Sequence, residues 1–223
     1  MADTREVVKE WSVAMRLNHW SMVLSILILI VTGFYIAAPF DVTQGETVGK
    51  FFMGDVRFVH ILFGLLLTFI FLWRVYLAFF SRFHADWKDF FAFGDLPNTI
   101  QQLKYYALVT KEPAKHRFLY GPMQSISYLV LLFMVLMIVI SGLLLMGAGY
   151  HGGFTAMAYS VLKPIESMVG GLAIVRWIHH ILTWCFILFI IVHVYMVFWY
   201  DVLFKEGVVS SMIGGNLFKK SGH

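Results

Sequence analysis

Apolar residues follow one another along this chain in four long runs, which are separated by shorter polar segments. A helix needs roughly 20 consecutive, mainly apolar residues to span a bilayer. The five prolines lie outside these runs or at their edges, as expected for residues that interrupt helices. The predicted membrane spans are residues 20–38, 58–80, 125–146 and 176–200.

Two of the connecting segments carry patterns of their own. Residues 97–110, "PNTIQQLKYYALVT", have apolar positions that predict an amphipathic helix at the membrane interface. Residues 152–171, "GGFTAMAYSVLKPIESMVGG", are bracketed by glycines and mildly apolar, which favours a segment on the membrane surface or against a partner. An ordinary surface loop explains either pattern equally well.

Composition agrees with the spans. Of 223 residues, 60% are hydrophobic and 13% are charged, about half the charged fraction of a soluble domain. We therefore predict an all-α integral membrane protein, a four-transmembrane-helix bundle formed by one domain over residues 1–223. The single cysteine, Cys185, excludes a disulfide within the chain and a CxxCH haem attachment.

Basic residues are unevenly distributed between the two sides of the predicted bundle. Thirteen of the 17 Lys and Arg residues fall in both terminal segments and at residues 74–121, whereas four fall in the remaining loops. Because cytoplasmic loops are enriched in Lys and Arg, we expect both termini and the segment 81–121 to be cytoplasmic. We interpret the basic residues as orientation signals and expect no nucleic-acid partner.

Histidines at or inside the spans are the first candidates for chemistry, because ionisable residues in a membrane are costly and usually functional. Three of them follow an arginine with the same Arg-x-x-His spacing, which puts both side chains on one helix face. This pattern suits haem b, with an iron and two propionates. The alternatives to haem binding are that each histidine is bonded to a helix carbonyl and that each arginine reaches lipid headgroups. The pairs are Arg16 with His19, Arg57 with His60, and Arg176 with His179.

The last span contains three histidines, and helical geometry distinguishes between them. His179 and His193 are 14 residues apart, which at 100° per residue is about 40° short of four turns and about 21 Å along the axis. They share a face, whereas His180 is about 140° out of phase with His193. His180 should therefore point to another helix, the interface or lipid.

Membrane depth then predicts two pairs, His60 with His179 near the outer side and His19 with His193 near the cytoplasmic side. Two histidines saturate a haem iron, so such sites suit electron transfer rather than substrate binding. Two glycines and an arginine on the same helix faces as these histidines fit this arrangement, although glycine also simply allows close helix packing. Gly33 and Gly64 would leave room for the outer macrocycle, and Arg74 would lie at the depth of the inner one.

These residues resemble the b-type cytochrome subunit of membrane-bound nickel–iron uptake hydrogenases, and the resemblance extends over most of the chain. The related gamma subunits of membrane formate dehydrogenases are the nearest alternative, since they share the four-helix plan and the 14-residue histidine spacing. The motifs are "RLNHW" at 16–20, "VTGFYI" at 31–36, "FFMGDVRFVH" at 51–60, "HHILTW" at 179–184, "HVYM" at 193–196 and "VVSSMIGG" at 208–215.

The resemblance implies two haem b groups with His19, His60, His179 and His193 as axial ligands. It implies a multi-pass subunit in the bacterial cytoplasmic membrane, which binds the iron–sulfur small subunit and nickel–iron large subunit of a hydrogenase on its outer face. Electrons from H2 oxidation would then reach the membrane quinone pool by way of the outer and inner haems. The chain would have no hydrogen-activating site of its own.

A quinone site on the cytoplasmic side is expected near Arg74, Lys104, Tyr106 and His116, although a solvated basic loop explains the last three equally well. A transporter or channel without haem is the alternative of a different class. Transporters usually have broken helices or internal repeats, and neither pattern is present in this sequence.

Overall fold

Four long helices dominate the structure, a computed structural model that describes residues 5–39, 51–80, 87–107, 109–110, 121–150 and 152–220. A 3-10 helix, Trp87–Gly94, precedes the third α-helix. The α-helices are α1 (Val13–Ala37), α2 (Phe52–Phe80), α3 (Leu96–Tyr106), α4 (Pro122–Gly149), α5 (Gly153–Val169), α6 (Leu172–Phe204) and α7 (Val208–Gly214), and the strands are β1 (Arg5–Lys9) and β2 (Asn216–Lys220).

The four long helices, α1, α2, α4 and α6, are each long and apolar enough to cross a membrane. Each overlaps one predicted span and extends it by several residues, because local signals outside the hydrocarbon set the helix ends. Ser12 caps α1 by accepting a hydrogen bond from the backbone N–H of Met15 at 3.2 Å. The left-handed glycines Gly170 and Gly171 separate α5 from α6.

The bundle is built from two helix pairs, α1 with α2 and α4 with α6. Met134, Val135 and Phe186 form the buried contact between α4 and α6. Between α1 and α2, the buried side chain of Asn18 donates to the backbone carbonyl of Ile70 at 3.0 Å. A polar bond of this kind between apolar helices fixes how the two helices are aligned along their axes.

The outward faces of the long helices are apolar. Phe69, Phe133 and Leu188 each leave more than 60% of their surface exposed. Exposed apolar surface on this scale is typical of helices surrounded by lipid. Length, composition and surface therefore agree on a multi-pass membrane protein.

The segment predicted as an amphipathic helix at 97–110 is helical over Leu96–Tyr106, as α3. The segment at 152–171 is not an ordinary loop but the 17-residue helix α5, which packs against the end of α4. Tyr159 of α5 donates its hydroxyl to the Glu166 carboxylate at 2.7 Å, and this bond raises the pKa of the tyrosine.

The two chain ends meet in a feature that the all-α prediction omitted. β1 pairs with β2 as a two-stranded antiparallel sheet, with Val7 opposite Phe218. The short helix α7 leads into β2 and lies beside α1, where Trp20 donates its indole N–H to the carbonyl of Met212 at 2.8 Å. The pairing is long-range in sequence, so the periodicity of either end alone cannot predict it.

Candidate haem sites

His60 of α2 and His179 of α6 face each other across the bundle, with ring centroids 6.4 Å apart and planes inclined by 65°. Both side chains are partly buried. Each histidine lies in the N-terminal third of its helix. The pair brought together is the one that membrane depth predicts.

His19 of α1 and His193 of α6 form a second pair, with ring centroids 6.5 Å apart and planes inclined by 51°. Phe189 stacks on His193 at 5.7 Å, and Trp20 meets His19 edge-on at 5.2 Å. The Nδ1 atom of His19 is buried without a hydrogen-bond partner among the described residues. The His19–His193 pair is therefore bordered by apolar side chains, and the Nδ1 of His19 makes no hydrogen bond to a described residue.

The separation of the rings can be compared with what a shared metal atom requires. Imidazole nitrogens bind metals at about 2 Å. Two such bonds in line, together with the distance from each nitrogen to its ring centre, span about the 6.4 and 6.5 Å observed. Both pairs therefore fit one metal atom held between two histidines.

A cavity adjoins the His60–His179 pair, and its walls are almost entirely apolar side chains of all four long helices, including Ile26, Leu67 and Phe186. Gly64 lines it too, and a Cβ added there would meet no heavy atom within 4 Å. Within the described part of the chain, no group of three or more His, Cys, Asp or Glu side chains could hold a bare metal ion. Two opposed imidazoles beside an apolar cavity fit haem b better than an isolated ion.

Three residues that the sequence reasoning did not select, Thr32, Ser141 and Gly142, lie beside the His60–His179 pair, together with the predicted Gly33. Thr32 Oγ1 lies 2.8 Å from His60 Nδ1, and Ser141 Oγ lies 2.8 Å from His179 Nδ1. A Cβ at Gly33 would come within 3.2 Å of His60 Cε1, and one at Gly142 within 3.4 Å of His179 Cε1. Gly33 was predicted near this site, but it contacts the ligand ring itself.

The signal that could have revealed these residues is a repeated dipeptide. A hydroxyl residue followed by glycine occurs inside the first span, in "IVTGF" at 30–34, and inside the third, in "VISGL" at 139–143. The third span has no histidine. Its Ser141 and Gly142 contribute directly to the site.

The three arginines of the Arg-x-x-His pattern have different surroundings. Arg57 and Arg176 are exposed near the starts of α2 and α6. Arg16 is partly buried, and it donates to the backbone carbonyl of Ile213 at the end of α7. Its Nε atom is buried and lacks a hydrogen-bond partner within the described ranges, so a carboxylate could still be bound there.

The residues predicted for a quinone site have different surroundings. Arg74 of α2 lies near Tyr128 of α4. Gln124, one turn earlier in α4, lies 3.4 Å from the Tyr128 hydroxyl. Lys104 and Tyr106 are exposed on α3, and His116 lies outside the described residues.

His180, the neighbour of His179, points to a different part of the molecule. Its Nε2 lies 3.4 Å from the indole nitrogen of Trp184, and its ring meets Phe34 edge-on with centroids 5.7 Å apart. The side chain is exposed. The adjacent histidines therefore have different environments, as their helical phase predicts.

Comparison with known proteins adds to this geometry. The family model for prokaryotic cytochrome b561 matches residues 10–215. A probable Ni/Fe-hydrogenase B-type cytochrome subunit from Rhizobium leguminosarum is 29% identical over 96% of this chain and 91% of its own length. A protein of the same description from Rhodobacter capsulatus is 30% identical over 95% of this chain and 82% of its own length. The probable Ni/Fe-hydrogenase 1 B-type cytochrome subunit of Escherichia coli K12 is 26% identical over 93% of this chain and 89% of its own.

Proposed function

This chain belongs to the prokaryotic cytochrome b561 family, and from that premise we propose that it is the cytochrome b membrane subunit of a nickel–iron hydrogenase. The observation that carries the proposal is the presence of two opposed histidine pairs, with ring centroids 6.4 and 6.5 Å apart. The names of the relatives identify the hydrogenase as the partner enzyme. The same names support haem b as the cofactor.

His60 with His179, and His19 with His193, would each hold a haem iron from both sides. Haem supplies one-electron redox chemistry when bound. Two protein ligands leave no position on the iron for a substrate, so the histidines restrict each site to electron transfer. The apolar walls exclude water, which favours rapid electron exchange with little solvent rearrangement.

Arginines and glycines would complete the two sites. Arg16, Arg57 and Arg176 each precede a proposed ligand by three residues and carry a guanidinium suited to a propionate. The buried, unbonded Nε of Arg16 supports this role. The open space beside Gly64 and the close approach of Gly33 to His60 support their roles at the His60–His179 site.

Orientation assigns the two sites to opposite sides of the membrane. The excess of Lys and Arg supports cytoplasmic termini, so His60–His179 would be the outer pair and His19–His193 the inner pair. The hydrogenase small and large subunits would bind on the outer side of the bacterial cytoplasmic membrane. The chain would thereby link H2 oxidation outside to quinone reduction near the cytoplasm.

A quinone carbonyl needs a hydrogen-bond donor or a cation close to the inner pair. Arg74 meets this need best among the predicted residues, because it lies within the bundle near Tyr128. Lys104, Tyr106 and His116 remain candidates for the cytoplasmic entrance of the site. Arg74→Gln should reduce quinone reduction while leaving the haem content at its normal value, and unchanged quinone kinetics would exclude Arg74.

The decisive experiment is purification of the membrane complex through a tag on this chain. We expect about two haem b per chain, a reduced-minus-oxidised b-type spectrum, and nickel and iron in the co-purifying subunits. A purified chain without Soret absorbance would refute the cytochrome function and favour a transporter or channel. A molybdenum subunit in place of nickel would reassign the chain to a formate dehydrogenase or a similar enzyme.

A further inference from the structure

The two histidines of the proposed outer site are held in the same way by helices that do not carry a ligand to that site. Thr32 and Gly33 of α1 contact His60, and Ser141 and Gly142 of α4 contact His179. In both cases the hydroxyl meets Nδ1 and the glycine meets Cε1 of the ring. The Nδ1–Cε1 edge of each imidazole therefore lies against a neighbouring helix.

The hydroxyl protons are already directed elsewhere. Thr32 Oγ1 donates to the carbonyl of Ile28 at 2.7 Å, and Ser141 Oγ donates to the carbonyl of Ile138 at 3.1 Å. A hydroxyl has one proton and two lone pairs. Because a carbonyl can only accept, we assign the hydroxyl proton to the helix carbonyl, and the oxygen then accepts from the Nδ1–H of the histidine. This selects the tautomer in which Nε2 carries the lone pair that binds a metal.

The glycines make this bond geometrically possible. At 3.2 Å, a Cβ at position 33 would press on His60 Cε1 more closely than ordinary van der Waals contact allows. The absence of a side chain lets the ring approach α1 closely enough to reach the hydroxyl of the preceding residue. At position 142 a Cβ would lie 3.4 Å from His179 Cε1, which is ordinary van der Waals contact, so the tight clearance is at Gly33.

The proposed inner site differs in this respect. His19 Nδ1 is buried and has no hydrogen-bond partner in the part of the chain that the structure describes. A ligand histidine that donates its second N–H to an acceptor becomes a more basic ligand. A more basic ligand stabilises ferric over ferrous iron, which lowers the reduction potential.

We propose that Thr32 and Ser141 are positioning residues that fix the tautomer and orientation of His60 and His179 and lower the potential of the haem held between them. The proposal rests on the proposed function, since it assumes that these histidines bind haem. A lower potential at the outer site favours electron transfer from the outer to the inner pair. The hydroxyls would thus favour this direction of electron flow by acting through the two histidines.

The test is a potentiometric titration of the purified complex with Thr32→Val and Ser141→Ala, singly and together. We expect about two haems per chain in each variant and a rise in one of the two midpoint potentials. A tenfold change in the ferrous-to-ferric ratio corresponds to about 59 mV for one electron, and a rise of about that size is expected for the double variant. The other midpoint should stay unchanged.

Three variants serve as controls. Thr32→Ser and Ser141→Thr keep the hydroxyl and should retain the wild-type potential. Ser25→Ala removes a hydroxyl of α1 that donates to the carbonyl of Ser21 one turn earlier, and it should leave both potentials unchanged. Loss of one haem from Thr32→Val but not from Thr32→Ser would also support the positioning role.

Unchanged potentials in the double variant with both haems retained would overturn the proposal, as would equal effects of Thr32→Val and Thr32→Ser. These outcomes leave the cytochrome function intact. Failure of the proposed function gives a different result, which is a wild-type chain without haem, or one whose haem content survives His60→Ala.

Discussion

His60 and His179 place their imidazoles 6.4 Å apart between α2 and α6, whereas His180, the next residue, turns toward Phe34 and Trp184. We expect His179→Ala to lower the haem content from about two to about one per chain, because one of the two proposed haem irons would lose a ligand. His180→Ala is the matched control and should keep both haems. Haem extraction and absorption spectroscopy measure the result, and loss of haem from His180→Ala alone would reverse the assignment.

Gly33 controls how closely α1 approaches His60. A Cβ at this position would lie 3.2 Å from His60 Cε1, valine adds two methyl groups to that Cβ, and crowding of this kind typically costs about 1–3 kcal/mol. We expect Gly33→Val to displace the His60 ring, with a broadened or weakened spectrum of one haem. Gly54→Val is the control, because a Cβ there meets no heavy atom within 4 Å. A wild-type spectrum for Gly33→Val would contradict the close contact.

Gly147 fixes the packing of α5 on α4. A Cβ there would lie 2.6 Å from the Cβ of Tyr159 and 3.0 Å from the carbonyl oxygen of Thr155, so Gly147→Ala must push α5 outward. We expect a loss of stability of about 1–3 kcal/mol, observed as a lower thermal unfolding midpoint in detergent. Gly149→Ala, with open space around its Cβ, should unfold like the wild type. Equal midpoints for the two variants would rule out tight packing at Gly147.

Gly215 joins α7 to β2 and holds the terminal sheet against α1. Its φ is 89°, and a Cβ there would lie 3.0 Å from the carbonyl oxygen of Trp11. Gly215→Ala should cost about 1–2 kcal/mol for the left-handed backbone alone, and protease should then cleave the C-terminal segment faster. Gly214→Ala, which has no such contact, should resist like the wild type. Unchanged cleavage of Gly215→Ala would show that the sheet does not depend on this turn.

Several parts of the fold follow from local sequence. Run length alone identified the four long helices, since a membrane span is defined by about 20 apolar residues. The amphipathic pattern at 97–110 located α3. The local sequence does not predict the helix α5, because glycine brackets and mild apolarity suit a loop as well as a helix.

The candidate sites, like the fold, depend partly on local sequence and partly on contacts between helices. Helical phase within a single span separated His179 from His180, because a repeat of 3.6 residues fixes the direction of every side chain on one helix. Only the tertiary structure revealed Thr32, Ser141 and Gly142 as neighbours of the histidines, and Tyr128 as the neighbour of Arg74. Their roles depend on which faces of different helices meet.

The sequence by itself determined the number of spans, the class of protein and the histidines that share a helix face, because these depend on composition and on periodicity within one element. The tertiary structure decided which helices face each other, where the chain ends pair and which hydroxyls bind the histidines. These contacts arise from close packing and hydrogen bonds between residues far apart in the chain. The sequence of a single helix does not determine them.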